Sequence, residues 1–146
     1  MKLESPDTSV PDELIEGAVK FHGHLGPFLI LGLKAGLLAN SLLGKDYFKT
    51  TAVVTAESSP PSSCFVDGVQ FVTGCTMGKG NINLRKGKNV SVLFTKEGRK
   101  LGLTLKKDVL ESIKSISSEE ELRRVSLDLM KKPVSELFET EEVSMR

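Results

Sequence analysis

The sequence predicts an α+β protein, in which an antiparallel sheet of about four strands packs with one long buried helix and several shorter helices. Three observations predict this class. Residues 27–43 are almost continuously apolar, as expected of a helix that is buried on most sides. Short segments rich in β-branched residues lie between residues 50 and 105, and from residue 106 onward the apolar residues follow a helical period.

The chain is predicted to form one domain and to be a soluble cytoplasmic protein. Its 146 residues fit one hydrophobic core, so we expect a single domain over 1–146, with a core of about 11–105 and C-terminal helices over about 106–138. The formal net charge of +1 argues against binding to nucleic acid or to an anionic membrane surface. Only two cysteines are present and the N-terminal stretch is polar, so neither a disulfide-rich secreted domain nor a signal peptide is indicated.

Two helices are expected before the first strand. Residues 11–21 form an amphipathic pattern that begins with a proline and two acidic residues, which favour a helix start. The apolar helix follows over 27–43 and should end at Gly44. It is shorter than the roughly 20 residues that span a bilayer and contains a lysine, so we interpret it as a core helix. Gly32 and Gly36 leave one of its faces bare enough for another element to approach closely.

Four strands are predicted, and three of them are expected to be neighbours in the sheet. The turns at 86–88 and 96–99 are short and contain glycine, which is typical of hairpin connections. They should therefore join the last three strands as an antiparallel meander. The four predicted strands cover residues 50–57, 81–85, 89–95 and 100–105.

Three further helices are predicted, one between the first two strands and two after the sheet. Ser118 with Glu121 three residues later has the spacing of a capping box, which favours a helix start there. Ser62 or Ser63 is the candidate N-cap of the helix that is predicted from residue 64. The tail from Glu139 is expected to be frayed. The predicted helices cover residues 64–73, 107–116 and 118–131.

The two histidines of the chain, His22 and His24, are candidate metal ligands or proton acceptors. They flank Gly23, and in a turn this spacing can bring both rings to one place. Because the following helix begins just after them, its dipole disfavours imidazolium and favours the neutral imidazole that binds metal. The alternative is a turn in which both rings bond to backbone groups.

Cys64 and Asp67 are the second group of candidates. The expected helix start at Cys64 would lower the pKa of its thiol, and Asp67 lies three residues later on the same helical face. A thiolate and a carboxylate together can bind a metal, or act as nucleophile and acid/base. Alternatively, Cys64 is a small buried apolar residue and Asp67 only neutralises the helix start.

Cys75 lies in a loop with three closely spaced glycines and Lys79, which could hold an anion or form a plain turn. The spacing of the two cysteines excludes a Cys-x-x-Cys zinc ribbon or redox pair, and their number excludes a four-cysteine iron–sulfur cluster within one chain. Two histidines and one cysteine, with an aspartate or the second cysteine, match a zinc-like site with room for water or substrate.

Three blocks of sequence resemble the E-subunit family of formylmethanofuran dehydrogenase. They are Phe-His-Gly-His-Leu at 21–25, Cys-Phe-Val-Asp-Gly-Val-Gln at 64–70, and Thr-Gly-Cys-Thr-Met-Gly-Lys-Gly-Asn at 73–81. The resemblance implies an α+β core, a homodimer, and a pocket that binds a divalent transition metal, most often zinc. The residues it implies as metal ligands are His22, His24, Cys64 and Cys75, and those it implies as cofactor-binding are Gln70, Gly78 and Lys79.

Two departures from the family pattern bear on the ligands and partners. Many members follow His-Gly-His-Leu with Cys-Pro-Gly, whereas this chain has Gly26 and then Pro27 and Phe28, so one potential sulfur ligand is missing. Many members also carry a C-terminal zinc ribbon, and no cysteine follows Cys75 to build one. We therefore expect a stand-alone member, and the resemblance offers a molybdenum or tungsten enzyme complex as a partner.

Three hypotheses about function follow. The leading one is a metal-binding protein with a redox or hydrolytic role, in which Cys64 and Asp67 are catalytic and Asp67 carries the proton. The second is a metal-independent enzyme in which Cys64 is the nucleophile and a histidine the base. The third is a non-catalytic accessory or assembly protein in which the metal is structural.

Overall fold

The computed structural model describes residues 9–144 and shows, within them, six helices and one five-stranded sheet. This confirms the predicted α+β class. The helices are α1 (Asp12–His22), α2 (Pro27–Leu43), α3 (Phe65–Thr73), α4 (Lys107–Lys114), α5 (Glu119–Lys131) and α6 (Val134–Leu137). The strands are β1 (Thr51–Ala56), β2 (Ile82–Lys86), β3 (Ser91–Lys96), β4 (Arg99–Leu105) and β5 (Phe138–Ser144).

The sheet is mostly antiparallel, with the strand order β2-β1-β3-β4-β5. The predicted β3–β4 hairpin is confirmed, but the predicted meander is wrong at its first strand. β2 lies on the far side of β1 and pairs with it in parallel, with Ala52 opposite Ile82, while β1 pairs antiparallel with β3. The glycine turn after β2 therefore carries the chain past the end of β1, where Gly87 donates a backbone hydrogen bond to Ala56. A short glycine turn alone does not distinguish this crossover from a hairpin.

The C-terminal segment corrects two further expectations. The predicted helical region ends at Leu137, and the residues from Glu139 that were expected to fray continue as β5, which pairs antiparallel with β4. Phe138 is 2% exposed and lies opposite Leu105, so the strand is held at its start by a core ring. The glutamates of β5 are compatible with an edge strand, where charged side chains discourage pairing with other chains.

The central helix α2 packs closely on α3 because both carry glycine at their contact. A Cβ added to Gly32 would overlap the carbonyl oxygen of Phe65, and one added to Gly68 would lie 2.8 Å from the backbone nitrogen of Leu33. This confirms the predicted close approach at the glycine face. Because Gly36 contacts the later part of α3, the two helices run in the same direction, and the start of α3 lies near the start of α2.

The burial of α2 also fits the interpretation as a core helix. It has 17 residues, and most of its side chains are buried on all sides of the helix. Within residues 9–144, none of the helices combines the length and the apolar character that crossing a bilayer requires.

Candidate functional site

A cavity of about 910 Å³ lies where the end of α1, the start of α2 and the turn before α3 meet α4 and α5. His22, His24 and Cys64 all line it. Its other walls are largely apolar, and charged side chains of α4, α5 and the segment after β1 form its rim. The apolar walls include Leu25, Pro27, Phe28, Leu29, Ile113 and Ile116, and the charged rim consists of Glu57, Lys114, Glu119, Glu120 and Arg123.

His22 is the last residue of α1 and is held by Asp67 of α3. Gly23 ends the helix with a φ of 113°, which turns the chain away directly after the ring. The Nδ1 atom of His22 lies 2.6 Å from Oδ2 of Asp67, a short and charge-assisted contact. The side chain of His22 is 8% exposed, and its Nε2 atom is buried without a hydrogen-bond partner. Such a nitrogen is costly to bury unless something binds to it.

His24 lies beside His22 but is open to solvent. The two ring centroids are 5.1 Å apart, with the planes tilted by 36°. Gly26 leaves space next to this ring, because a Cβ there would lie 3.5 Å from Nε2 and from Cε1 of His24. The backbone at Gly26 is extended, with a φ of −148°, which any residue can adopt. The backbone conformation therefore does not explain why this position is a glycine.

Cys64 ends a single 3-10 turn (Ser62–Cys64) that leads into α3, and its side chain is half-buried. Neither serine caps the helix; Cys64 itself occupies the N-cap position without a side-chain bond. Burial, and then the negative charge of Asp67, raise the pKa of the Cys64 thiol above its ordinary value. The expectation that the helix start would lower this pKa is therefore wrong. The charge of Asp67 acts on both His22 and Cys64, so it links the two.

Cys75 lies outside this cavity. Its side chain is fully buried, and its Sγ donates a hydrogen bond to the carbonyl oxygen of Thr50 at 3.3 Å. The nine residues of α3 separate it from Cys64, a length of about 13 Å along the helix. Burial raises the pKa of the Cys75 thiol as well. Both cysteines are unpaired.

Three of the four predicted metal ligands, His22, His24 and Cys64, thus line one cavity, and Asp67 contacts His22. Within residues 9–144, no three histidine, cysteine, aspartate or glutamate side chains are already spaced to hold one metal ion. Sequence reasoning missed the charged rim, which includes Glu119, Glu120 and Arg123. These residues lie on the exposed face of an ordinary amphipathic helix, and no local signal distinguishes them from other solvent-facing charges.

The predicted cofactor-binding residues meet at a different place. Gln70, Gly78 and Lys79 all line a second cavity of about 420 Å³ near the C-terminal end of α3. The backbone N–H of Met77 donates to Oε1 of Gln70 at 2.9 Å, which ties the glycine loop to the helix. The His/Cys cavity opens at the other end of α3. Gln70, Gly78 and Lys79 therefore do not line it and would not contact a ligand bound there.

The fold and the site together define the class of this protein. It is an α+β protein with one largely apolar cavity, which contains a thiol and a histidine held by a carboxylate. Residues 21–142 match the family model described as "FmdE, Molybdenum formylmethanofuran dehydrogenase operon". The chain belongs to this family, as its three sequence blocks indicated.

The chain is also similar to two other proteins. A solved structure, of a tungsten formylmethanofuran dehydrogenase FmdE-like protein from Syntrophus aciditrophicus, matches with a TM-score of 0.63 and 17% identity over 99% of this chain and 78% of that one. At this identity the match supports the fold alone. A "Probable S-adenosyl-L-methionine-binding protein" from Archaeoglobus fulgidus is 33% identical over 87 residues. The match covers 58% of this chain and only 24% of that relative.

Proposed function

We propose that this protein binds a divalent transition-metal ion, of which zinc is the first choice, between His22, His24 and Cys64. The observation that carries the proposal is the buried Nε2 of His22, which has no partner while the opposite nitrogen is held by Asp67. A carboxylate behind a metal-binding histidine fixes its tautomer and orientation and raises its basicity. Two imidazoles and one thiolate are also donors that zinc prefers.

The ligand set in this proposal is smaller than the resemblance implied. Cys75 is excluded, because it is bonded to the core at the far end of α3. Three protein ligands would leave a position open, and the space over Gly26 lies directly beside His24. Since the described donors are not yet spaced around one point, binding requires the exposed ring of His24 and the Cys64 side chain to turn toward His22.

The residues around the cavity then have separate tasks. Asp67 orients His22 and is engaged with it, so we assign it a positioning role instead of the proton transfer expected from the sequence. The apolar walls would bind the apolar body of a substrate. A bound ion would supply a Lewis acid that activates water or polarises a substrate oxygen.

A metal-independent thiol enzyme has less support. A nucleophilic cysteine needs a low pKa or an adjacent base, whereas the pKa of Cys64 is raised. Within the described residues, no hydrogen bond joins its sulfur to either histidine. Coordination to a cation would favour the thiolate, so the raised pKa of Cys64 weakens metal binding at neutral pH but does not prevent it.

Zinc titration of the metal-free protein tests the proposal. We expect the wild type to bind one equivalent, the Cys64→Ser variant to bind much more weakly, and Cys75→Ala to bind like the wild type. Equal uptake by all three, or weakening by Cys75→Ala alone, would contradict it. Melting with and without a chelator separates the roles of the ion, since a structural metal contributes to the folding free energy.

We also propose that the chain forms a homodimer through the uncovered face of its sheet. On that face Val53, Leu93 and Gly102 lie side by side on adjacent strands. The β2 edge carries Arg85, whereas β5 carries glutamates, including Glu141 next to Gly102. A two-fold axis parallel to the strands would place the basic edge of one copy over the acidic edge of its partner, which is favourable for a second copy of this chain.

Sedimentation velocity tests this dimer. Leu93→Lys should produce a monomer, while Leu127→Lys, which changes a similarly exposed leucine on α5, should not. The reverse result would move the interface to the helical face. We further propose a cytoplasmic location, which the two unpaired cysteines support.

A further inference from the structure

The cavity near the C-terminal end of α3 has the chemistry of a second binding site. Its walls carry three aromatic rings, those of Phe21, Tyr47 and Phe71, together with Met77 and Lys79. Phe21 is 55% exposed, Tyr47 53% and Met77 82%, so these large apolar side chains remain open to solvent. Exposed apolar groups gathered around one concavity usually mark a place where something binds.

Two ammonium groups lie near this cavity: Lys79 lines it, and Lys45 reaches it over the ring of Tyr47. The ammonium of Lys79 lies 5.2 Å from the ring centroid of Tyr47 and 4.9 Å from that of Phe48, and the ammonium of Lys45 lies 4.8 Å from Tyr47. Within residues 9–144, neither lysine forms an ion pair. The nearby carboxylate of Asp46 instead accepts backbone hydrogen bonds within its own turn.

The cavity wall at Gly78 has no side chain, although the backbone conformation there does not require glycine. A Cβ there would meet no atom within 4 Å, and its φ lies outside the left-handed region. Gly80, two residues later, does need glycine, since its φ is +73°. Gly78 therefore lines the cavity with backbone that has open space beside it, and a ligand can approach that backbone closely.

We propose that this cavity binds a planar aromatic molecule that carries an anionic group, stacked on the rings and paired with Lys45 and Lys79. Aromatic side chains stack on any flat π-system, and lysine neutralises the anion. A volume of about 420 Å³ suits a ligand of nucleotide size. The site is separate from the His/Cys cavity and does not depend on the metal.

Tyr47 provides a specific reporter, because it is the only tyrosine of the chain. Protein labelled with 3-fluorotyrosine should show a single ¹⁹F resonance that originates in this cavity. The probes are two matched pairs that differ only by a phosphate, AMP with adenosine and FMN with riboflavin, and inorganic phosphate alone. We expect at least one phosphorylated probe to shift the resonance and to bind at least about threefold more tightly than its partner without phosphate, while phosphate alone has little effect.

Substitutions test separately what the rings, the lysines and the glycine loop contribute to binding. Phe21→Leu should weaken binding about fivefold or more, and the double variant Lys45→Met, Lys79→Met should remove the preference for the phosphorylated probe. Gly78→Leu should block binding without changing the melting temperature. Lys88→Met, at an exposed lysine outside the cavity, is the matched control and should have no effect.

Three results would overturn the proposal. One is a resonance that no probe shifts at millimolar concentration. Another is a resonance that inorganic phosphate alone shifts as much as AMP or FMN, since the rings would then have no role. The third is a resonance that responds to protein concentration but not to the probes, since a second copy of the chain would then cover the rings. Cys64→Ser should leave the titration unchanged, so failure here is distinguishable from failure of the metal site.

Discussion

Replacing Asp67 by asparagine should weaken zinc binding although Asp67 is not one of the proposed ligands. The substitution removes the negative charge that lies 2.6 Å from Nδ1 of His22 and keeps the size of the side chain. Loss of a carboxylate behind a metal-binding histidine typically costs 10- to 100-fold in affinity, or about 1.4–2.7 kcal/mol. The carboxylate is 37% exposed, so solvent screens it and the loss should fall toward the lower end of that range.

The same substitution should have the opposite effect on the reactivity of Cys64. The negative charge of Asp67 helps to raise the pKa of this thiol, so removing the charge lowers the pKa and increases the thiolate fraction at pH 8. Alkylation by iodoacetamide should therefore be faster in the variant. Burial contributes more than Asp67 to the raised pKa, so this gain should not offset the loss of metal affinity.

Competition titration with a chromophoric chelator measures the affinity, and mass spectrometry of the alkylated peptide measures the rate. The matched control is Asp108→Asn, which removes an acidic residue from the first turn of α4 and so repeats the loss of a favourable charge at a helix start. Unchanged zinc affinity in Asp67→Asn would refute the assigned positioning role. Slower alkylation would refute the closeness of Asp67 to the sulfur.

Three further substitutions test the helix contact, the space beside His24 and the last strand. Gly68→Ala should lower the free energy of unfolding by about 3 kcal/mol in a urea titration, because its Cβ would overlap the backbone of α2, whereas Gly78→Ala should change it by less than about 0.5 kcal/mol. Gly26→Cys should bind zinc about tenfold more tightly than Gly26→Ala, since it adds a sulfur near the ring of His24; equal affinities would place the ion elsewhere. Phe138→Ala should cost about 3–5 kcal/mol in the same titration, and a loss below about 1 kcal/mol would show that β5 is not held by its ring.

The fold could be predicted where local chemistry decides it. The ends of α2 at Pro27 and Gly44, and the cap of α5 at Ser118, follow from single residues with strong positional preferences, and all three are observed. The place of β2 could not be predicted this way, because strand order depends on which pairing buries more surface. β5 was missed because its only strong apolar signal is Phe138, and the following glutamates are tolerated only by the edge position that the sheet provides.

The candidate site shows which residue contacts can be predicted from spacing in the sequence. His22 and His24 could be paired from sequence because one flexible residue separates them, and the turn at Gly23 brings their rings to 5.1 Å. Cys64 and Cys75 were both candidates for one site, although the length of the helix predicted between them argues against it. A helix predicted over 64–73 is about 15 Å long, whereas two sulfurs on one zinc ion lie within about 2.3 Å of it. A rigid helix of that length cannot bring both of its ends to one ion. The same length leaves room for two independent cavities, and an experiment that changes one of them should leave the other intact.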